Sequence, residues 1–537
     1  MKTNKTTRLF ALSALVFAMT ACSSIPKQAD TMVAKPNLAI EKAYQVLDNQ
    51  TISVAEAPSV ASMRWQDFYA DDKLKSLIEI GLNNNKDLQK ALLAIQSSRA
   101  QYQITTADGV PTLGASGGVS RSANAADRNA RSGYNVGLAM PGYEIDLWGK
   151  VANAKDAALH NYLATNSAKD AVQISLISSI AQSYVNLSYA LAQRHLALET
   201  LKTREHSLDI TNKRFAAGID ARSPSLQAEA SLEAAKLAIY QADTGILQAR
   251  NALQLLLGAP IPDELMPDMA VDNITTQSLF SAGLPSELLY YRPDVVQAEH
   301  ALKAAGANIN VARAAYFPSI SLTGNLGFSS SSLSDLLKSS AFGWSVGPSI
   351  SLPIFDAGVR RANYEMAEVA QKSALVSYEK AIQTAFKEVG DVLAARATLG
   401  KQLESQYKLQ SNYQQTYKIA HARFRSGLDD YLSVLDAERS LFANQQNILN
   451  LELQKILSQI QLYQALGGGA SLTAEQIADI EKQREAMRTA ALATAEQAQV
   501  QNEQGETVQA NEGVLLVQPA PSNIATGEPA TQQTDAP

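Results

Sequence analysis

The sequence predicts a mixed α/β membrane protein with an internal two-fold structural repeat, in which a helix, a β-hairpin and a long helical hairpin occur twice. Glycines recur at a constant offset of 209 residues: Gly427 follows Gly218 (427 − 218 = 209) and Gly467 follows Gly258 (467 − 258 = 209). Two pairs of segments alternate between apolar and small or polar residues, which is typical of strands. The amino terminus is basic and then apolar, which is typical of an export signal.

The first 64 residues predict export and lipidation. Basic residues precede an apolar run, and small residues lead from that run to Cys22, the only cysteine of the chain. The arrangement resembles a bacterial lipobox, which implies a signal peptide over 1–21 and a covalent lipid on Cys22. Ser23 after the cysteine points, by the same resemblance, to the outer membrane. The alternative is a plain signal peptide with an incidental cysteine. Residues 22–64 show no clear period and predict an extended lead-in.

The first repeat is predicted over residues 65–258. It opens with helical periodicity from 74 to about 106. Alternation then predicts a β-hairpin over about 112–148. The alternation shifts phase at Pro141, which predicts a bulge there.

A long helical hairpin completes the first repeat. The helical pattern from 150 to 216 contains no proline and predicts a helix roughly 100 Å long at 1.5 Å per residue. A returning helix follows, and the tip between the two lies near 214–222. Because a bilayer core is only about 30 Å thick, these helices project far beyond a membrane.

The remaining segments follow from the repeat offset and from composition. Residues 259–281 form a linker rich in Pro and Asp, and the second repeat covers 282–469. Its β-hairpin is predicted at about 319–355 and its tip near 423–431. Residues 470–537 contain no Phe, Trp or Tyr and predict a largely disordered tail.

The four strands predict a transmembrane barrel shared between chains. Each is about ten residues long, with one apolar face and one small or polar face, as a barrel with a wet lumen requires. A soluble sandwich is the alternative, but only two hairpins occur and a signal sequence precedes them. Since four strands cannot close a barrel, the membrane interpretation requires an oligomer.

The returning helices carry apolar residues at a spacing of seven, which predicts coiled-coil seams. These residues are Leu232, Ile239, Ile246 and Leu253 in the first copy, and Leu435, Phe442, Leu449, Ile456 and Tyr463 in the second.

The sequence predicts no enzyme, no metal site and no cofactor apart from the lipid. His195 and His206 share a helix but lie eleven residues apart, about 16 Å, which is too far to chelate one ion. Neither paired Cys/His spacing nor a glycine-rich phosphate loop occurs. The net charge of −6 argues against nucleic acid as a partner.

Carboxylates near the second tip are candidates for a pore constriction. Leu432 and Asp436 lie four residues apart, hence on one helix face. In a ring of chains, one carboxylate per chain facing the axis forms a charged constriction. Asp429 and Asp430 are further candidates, although their place at a helix start favours capping. Asp436 is too deep in the helix to cap it.

Four motifs of the chain are distinctive: Trp65 with Phe68, the segment Gly283 to Asp294, the segment Leu352 to Asp356, and the segment Tyr431 to Leu441. Together they resemble those of the TolC-like outer-membrane factors, in their lipidated, OprM-like branch. The family usually has Arg-Arg-Pro-Asp where this chain has Tyr-Arg-Pro-Asp, ending at Asp294. The tail after 469 is not part of the pattern.

This resemblance implies a homotrimer whose twelve-strand transmembrane β-barrel continues as a long α-helical tunnel into the periplasm. It implies a passive channel of a drug efflux system, embedded in outer-membrane lipid. The partners are then a periplasmic adaptor (membrane fusion) protein and an inner-membrane drug/proton pump. By the same resemblance, Leu432 and Asp436 narrow the periplasmic end. The tips around Arg214, Gly218, Arg423 and Gly427 contact the adaptor.

Two alternatives stay open. One is a channel of the same fold that serves protein secretion. The other is a structural envelope lipoprotein that does not conduct.

Overall fold

The computed structural model describes residues 63–123, 130–276 and 291–468, which all lie in the compact unit Met1–Ser471. The predicted signal peptide, the lipidation site Cys22, nearly all of the lead-in and the carboxy-terminal tail lie outside the described residues.

Three helices open the described chain: α1 (Trp65–Phe68), α2 (Asp72–Asn84) and α3 (Lys86–Ala107). The prediction of one uninterrupted helix from 74 to 106 is therefore wrong at Asn85. This residue is extended (φ −61°, ψ 130°), and its side chain accepts hydrogen bonds from the backbone N–H groups of Asp87 and Leu88. A short polar side chain that caps the next helix ends the previous one.

Within the described residues, four strands form one antiparallel sheet in the order β1-β2-β3-β4. They are β1 (Gly114–Ser122), β2 (Arg131–Glu144), β3 (Ser319–Ser330) and β4 (Phe342–Ser351). The two hairpins of the repeats thus lie side by side, joined through β2 and β3. The bulge predicted at Pro141 is confirmed, because Met140 pairs with Gly324 whereas Tyr143 pairs with Leu322. One extra residue on β2 moves the alternation to its other phase.

The register gives the sheet one apolar and one polar face. Paired residues share a face, and the apolar one carries Val136, Leu138, Leu326, Phe328, Trp344, Val346 and Ile350. The other face carries small or polar residues, and there the hydroxyls of Ser321 and Ser349 are 2.7 Å apart. Every residue of β1 is exposed. The alternation predicted from the sequence is therefore confirmed.

Long helices carry the chain away from the sheet and back. They are α4 (Lys150–Ala216) and α5 (Arg222–Leu257) in the first series, and α7 (Val359–Arg425) and α8 (Tyr431–Ala465) in the second. The shorter helix α6 (Pro293–Ala314) leads into β3, as α3 leads into β1. The order helix, hairpin, long helix, return helix therefore occurs twice. Both α4 and α7 have 67 residues, about 100 Å of helix.

The predicted seams lie in the contacts between these helices. Leu253, Leu435, Ile456 and Tyr463 are buried, and the other seam residues are half-buried. At the end of α8, the ring of Tyr463 stacks on that of Phe68, with 4.0 Å between centroids. The seven-residue spacing thus marks the faces that hold the helices together.

The linker after α5 crosses the outside of the first helices as far as residue 276. The ammonium group of Lys73 lies 3.0 Å from the Asp268 carboxylate, and the Ser188 hydroxyl donates to the Asp268 carbonyl. Ile274 is fully buried, and Tyr69 forms a β-bridge with Thr275. This segment is thus packed against α2 and α4.

No helix within the described ranges combines the length and the apolar character that a membrane span requires.

Candidate functional site: the two hairpin tips

The tip of the first helical hairpin joins α4 to α5. Gly218 adopts φ +70°, a left-handed conformation that ends the helix at little steric cost. The backbone N–H of Ile219 donates to the Arg214 carbonyl over 3.0 Å. The guanidinium of Arg214 then spans the turn and donates two hydrogen bonds to the Asp220 carboxylate, at 2.7 and 3.1 Å.

The tip of the second hairpin repeats this geometry. Gly427 adopts φ +71°, and the N–H of Leu428 donates to the Arg423 carbonyl over 2.9 Å. Arg423 donates two hydrogen bonds to the Asp429 carboxylate, at 2.7 and 2.9 Å. These bonds hold the pKa of Asp429 below its usual value. A two-bond Arg–carboxylate contact has a defined geometry, so it sets the shape of each turn. We call each Arg–Asp pair, Arg214–Asp220 and Arg423–Asp429, a tip clamp. The structure thus places the predicted tip residues in two equivalent turns: Arg214 and Gly218 in the first, and Arg423 and Gly427 in the second.

The two clamps differ in their surroundings. The guanidinium carbon of Arg214 lies 4.8 Å from the centre of the Phe424 ring, so the first tip packs on the end of α7. Its pair with Asp220 is 19% and 17% exposed, whereas the Arg423–Asp429 pair is 51% and 27% exposed. The second tip is thus the more accessible to a partner.

The candidates Asp429 and Asp430 have different roles in this chain. Asp430 is the N-cap of α8, and its carboxylate accepts a hydrogen bond from the N–H of Ser433. Capping is therefore confirmed for Asp430. Capping is wrong for Asp429, because its carboxylate is held by Arg423. The first tip has Ala221 at the capping position, without a side-chain cap.

The candidates Leu432 and Asp436 lie together on an exposed face of α8. The opposite face packs into a core beside the tip, formed by Ala228, Ala420, Phe424, Tyr431, Val434, Leu435 and Ala437. Because that core fixes the rotation of α8, both candidates point away from their own chain. Both side chains are therefore accessible to a neighbouring copy of the chain or to solvent.

Sequence reasoning missed a buried ion pair behind this face. Arg204 of α4 donates to the Glu438 carboxylate over 2.7 Å, and each side chain is 6% exposed. A second bond runs from Arg204 to the Ser231 carbonyl of α5 over 2.8 Å. The guanidinium carbon also lies 5.6 Å from the Phe442 ring centre. Arg204 therefore joins α4, α5 and α8, and its partner Glu438 lies two residues after Asp436.

A sequence signal for this pair exists. Glu438 lies four residues after Val434 and seven after Tyr431, both of which belong to the buried face of α8. A carboxylate at a buried position of a helix requires a cationic partner. The partner itself, 234 residues earlier in the chain, could not be read from the spacing.

Within the described ranges, no set of three or more His, Cys, Asp or Glu side chains is placed to hold a metal ion together. The candidate site therefore consists of two hydrogen-bonded turns and an exposed face of α8 that carries the carboxylate of Asp436.

Comparison with known proteins places this arrangement in a family. The family model described as outer membrane efflux protein matches residues 77–259 and 284–468. The chain is 39% identical over 457 residues to the cation efflux system protein CusC of Escherichia coli O6:H1, which covers 85% of this chain and 97% of CusC. It is 37% identical over 471 residues to the antibiotic efflux pump outer membrane protein ArpC of Pseudomonas putida, covering 86% of this chain and 96% of ArpC.

A solved structure shows the same fold. The crystal structure of the open state of the MtrE outer membrane channel of Neisseria gonorrhoeae matches with a TM-score of 0.74 and 37% identity. The match covers 83% of this chain and 98% of the MtrE chain. With two matched halves, a four-stranded sheet and two long helical hairpins, the chain belongs to the outer membrane efflux protein family.

Proposed function

We propose that this protein is the outer-membrane channel of a tripartite multidrug efflux system, and that it conducts passively. Three copies form a twelve-strand transmembrane β-barrel, and their long helices form an α-helical tunnel into the periplasm. A periplasmic adaptor and an inner-membrane drug/proton pump deliver the cargo. A lipid on Cys22 anchors each chain to the outer membrane.

The observation that carries this proposal is the open four-stranded sheet. Within the described residues, β1 and β4 each pair with one neighbouring strand. Unpaired strand edges do not persist in hydrocarbon, since each unsatisfied N–H or C=O group costs several kcal/mol. Three copies supply twelve strands, whose apolar face meets lipid and whose small, polar face lines a wet lumen.

The tips and the exposed face of α8 support a gated conduit. In a three-fold assembly, Leu432 and Asp436 of each chain face the axis and narrow the periplasmic end. Asp430 and the Asp429 clamp hold the start of α8 at that constriction. The turns around Gly218 and Gly427 meet the adaptor, with the more exposed second clamp offering the larger contact.

CusC is named for cation efflux and ArpC for antibiotic efflux. The resemblance to the OprM-like branch favours drugs for this chain. Single-gene deletion tests this: we expect susceptibility to several unrelated compounds to rise. A rise confined to metal cations would support a cation channel instead, and unchanged susceptibility with an intact pump would contradict an efflux role.

Planar-bilayer recording of the purified protein, with its native mass measured alongside, is the direct test. We expect discrete channels from a trimer. A non-conducting trimer, even when Asp436 is replaced by alanine, would indicate a structural tether. A non-conducting monomer would contradict the shared barrel.

The lipid anchor has its own test. Cys22→Ala should abolish incorporation of a labelled acyl chain, because the thiol and the new amino terminus are its acceptors. Persistent label would refute the lipobox interpretation without affecting the channel.

A further inference from the structure

Two histidines far apart in the sequence meet between α4 and α6. The Nδ1 atoms of His160 and His300 are 3.1 Å apart, and the two ring centroids are 5.3 Å apart. Both side chains are half-buried. The contact links the first and second halves of the chain, which are otherwise joined here by helix packing.

A carboxylate lies beside the pair on the α4 side. The Nε2 of His160 lies 3.8 Å from the carboxylate of Asp156, one helical turn earlier. At this distance the two groups form no hydrogen bond. Which Nδ1 atom donates in the contact between the histidines depends on the tautomers of the two rings. The nearby Glu299 carboxylate pairs with Lys303 at 2.6 Å and is already occupied.

The separation of the two nitrogens fits a shared ion. Two nitrogens bound to one tetrahedral ion with bonds of about 2.0–2.1 Å lie roughly 3.3 Å apart, and a square-planar arrangement brings them to about 2.9 Å. The observed 3.1 Å lies between the two. The two ring planes are inclined by 27° to each other. A rotation about χ2, which is soft for histidine, is needed to aim both lone pairs at one point.

We propose that His160 and His300 bind one divalent transition-metal ion of the Zn²⁺ or Cu²⁺ class through their Nδ1 atoms. Water completes the coordination. With the ion on Nδ1, the ring proton of His160 lies on Nε2, the nitrogen that faces the Asp156 carboxylate. Imidazole nitrogens suit both ions, and the partial exposure of the pair leaves a path for entry.

The ion would fasten the two repeats where they leave the sheet. At that junction, the indole N–H of Trp148 donates to the Pro318 carbonyl over 2.7 Å, and its ring stacks on Phe317. His160 lies ten residues after the start of α4 at Lys150, about 15 Å further from the sheet. A metal bridge there would hold α4 against α6 at a second point, further from the sheet than the Trp148 contact. This role is independent of what the channel conducts.

Titration with Cu²⁺ tests the proposal on the full-length protein, purified without a polyhistidine tag. We expect one tightly bound ion per chain, an electron paramagnetic resonance spectrum with two nitrogen ligands, and a rise in thermal midpoint. His160→Gln and His300→Gln should each abolish the two-nitrogen spectrum and the thermal rise. Asp156→Asn keeps both ligands and should weaken binding about tenfold.

His195→Gln is the matched control, because this histidine lies on the same helix outside the pair. It should leave stoichiometry and spectrum unchanged. Binding that survives His160→Gln, or that is lost in His195→Gln, would overturn the proposal. Absence of any two-nitrogen signal in the wild-type protein would reduce the pair to a hydrogen bond that shares a proton.

Discussion

Replacing Glu438 by glutamine tests whether its buried ion pair with Arg204 holds α8 behind the proposed constriction. Glutamine preserves the volume but leaves the guanidinium, 6% exposed, without a negative partner. Arg204 keeps its bond to the Ser231 carbonyl, so part of its hydrogen bonding survives. Removing one member of a buried ion pair costs about 3–5 kcal/mol. We expect about 3 kcal/mol because of the bond that remains.

Hydrogen exchange at the backbone amides of 434–442 measures this cost locally. A change of about 3 kcal/mol corresponds to a roughly hundredfold larger opening equilibrium. The matched control is Asp243→Asn, which breaks the Arg194–Asp243 pair between α4 and α5. That pair is 41% and 43% exposed, so its loss should cost below about 1 kcal/mol.

Two results would refute the reasoning. One is unchanged exchange in Glu438→Gln, and the other is an equal change in both variants. A double variant, Arg204→Met with Glu438→Leu, separates charge from packing. It should restore protection near the wild-type level, because an apolar pair leaves no buried charge unmatched.

Three further predictions concern the second tip. Asp436→Ala combined with Leu432→Ala should raise single-channel conductance by removing a charged, narrow ring; unchanged conductance would sink that assignment. Gly427→Ala should destabilise the tip by about 1–2 kcal/mol, because the left-handed conformation is unfavourable for alanine. The control Gly390→Ala, within α7, should stabilise that helix by about 0.5–1 kcal/mol. Amide exchange that changes in the same direction in both variants would contradict this. The pKa of Asp429 is depressed in the folded state. Ionised Asp429 therefore stabilises the tip above its usual pKa near 4, and this stabilisation is lost as the pH falls through the folded-state pKa. Asp429→Asn should remove the acid-induced loss of amide protection at the tip, and a loss that persists would point to another carboxylate.

Much of the fold was predictable because its signals are local. The proline-free run that begins at Lys150 and the glycines at 218 and 427 predicted long helices that turn at defined points. The phase shift at Pro141 predicted the bulge. The break at Asn85 was missed, because helical periodicity continues through it while one side chain caps the following helix.

The candidate site was predictable only in part. The spacing of Leu432 and Asp436 placed both on one face, and the structure leaves that face exposed. The partner of Asp429 was not foreseen, although Arg423 and Arg214 precede an aspartate by the same six residues in both repeats. A cap and a clamp both suit an aspartate at a turn, and only the positioned guanidinium distinguishes them.

The sequence by itself determined the helices, the strands, their two faces and the two-fold order, since each follows from periodicity and from Gly or Pro at particular positions. Tertiary structure alone decided which distant side chains meet. Arg204 reaches Glu438 across 234 residues, and His160 reaches His300 across 140. A period specifies which face of a helix is apolar, but not which helix will cover that face or at what height. Those two choices are made when long helices pack against each other, and they create the Arg204–Glu438 ion pair and the His160–His300 contact.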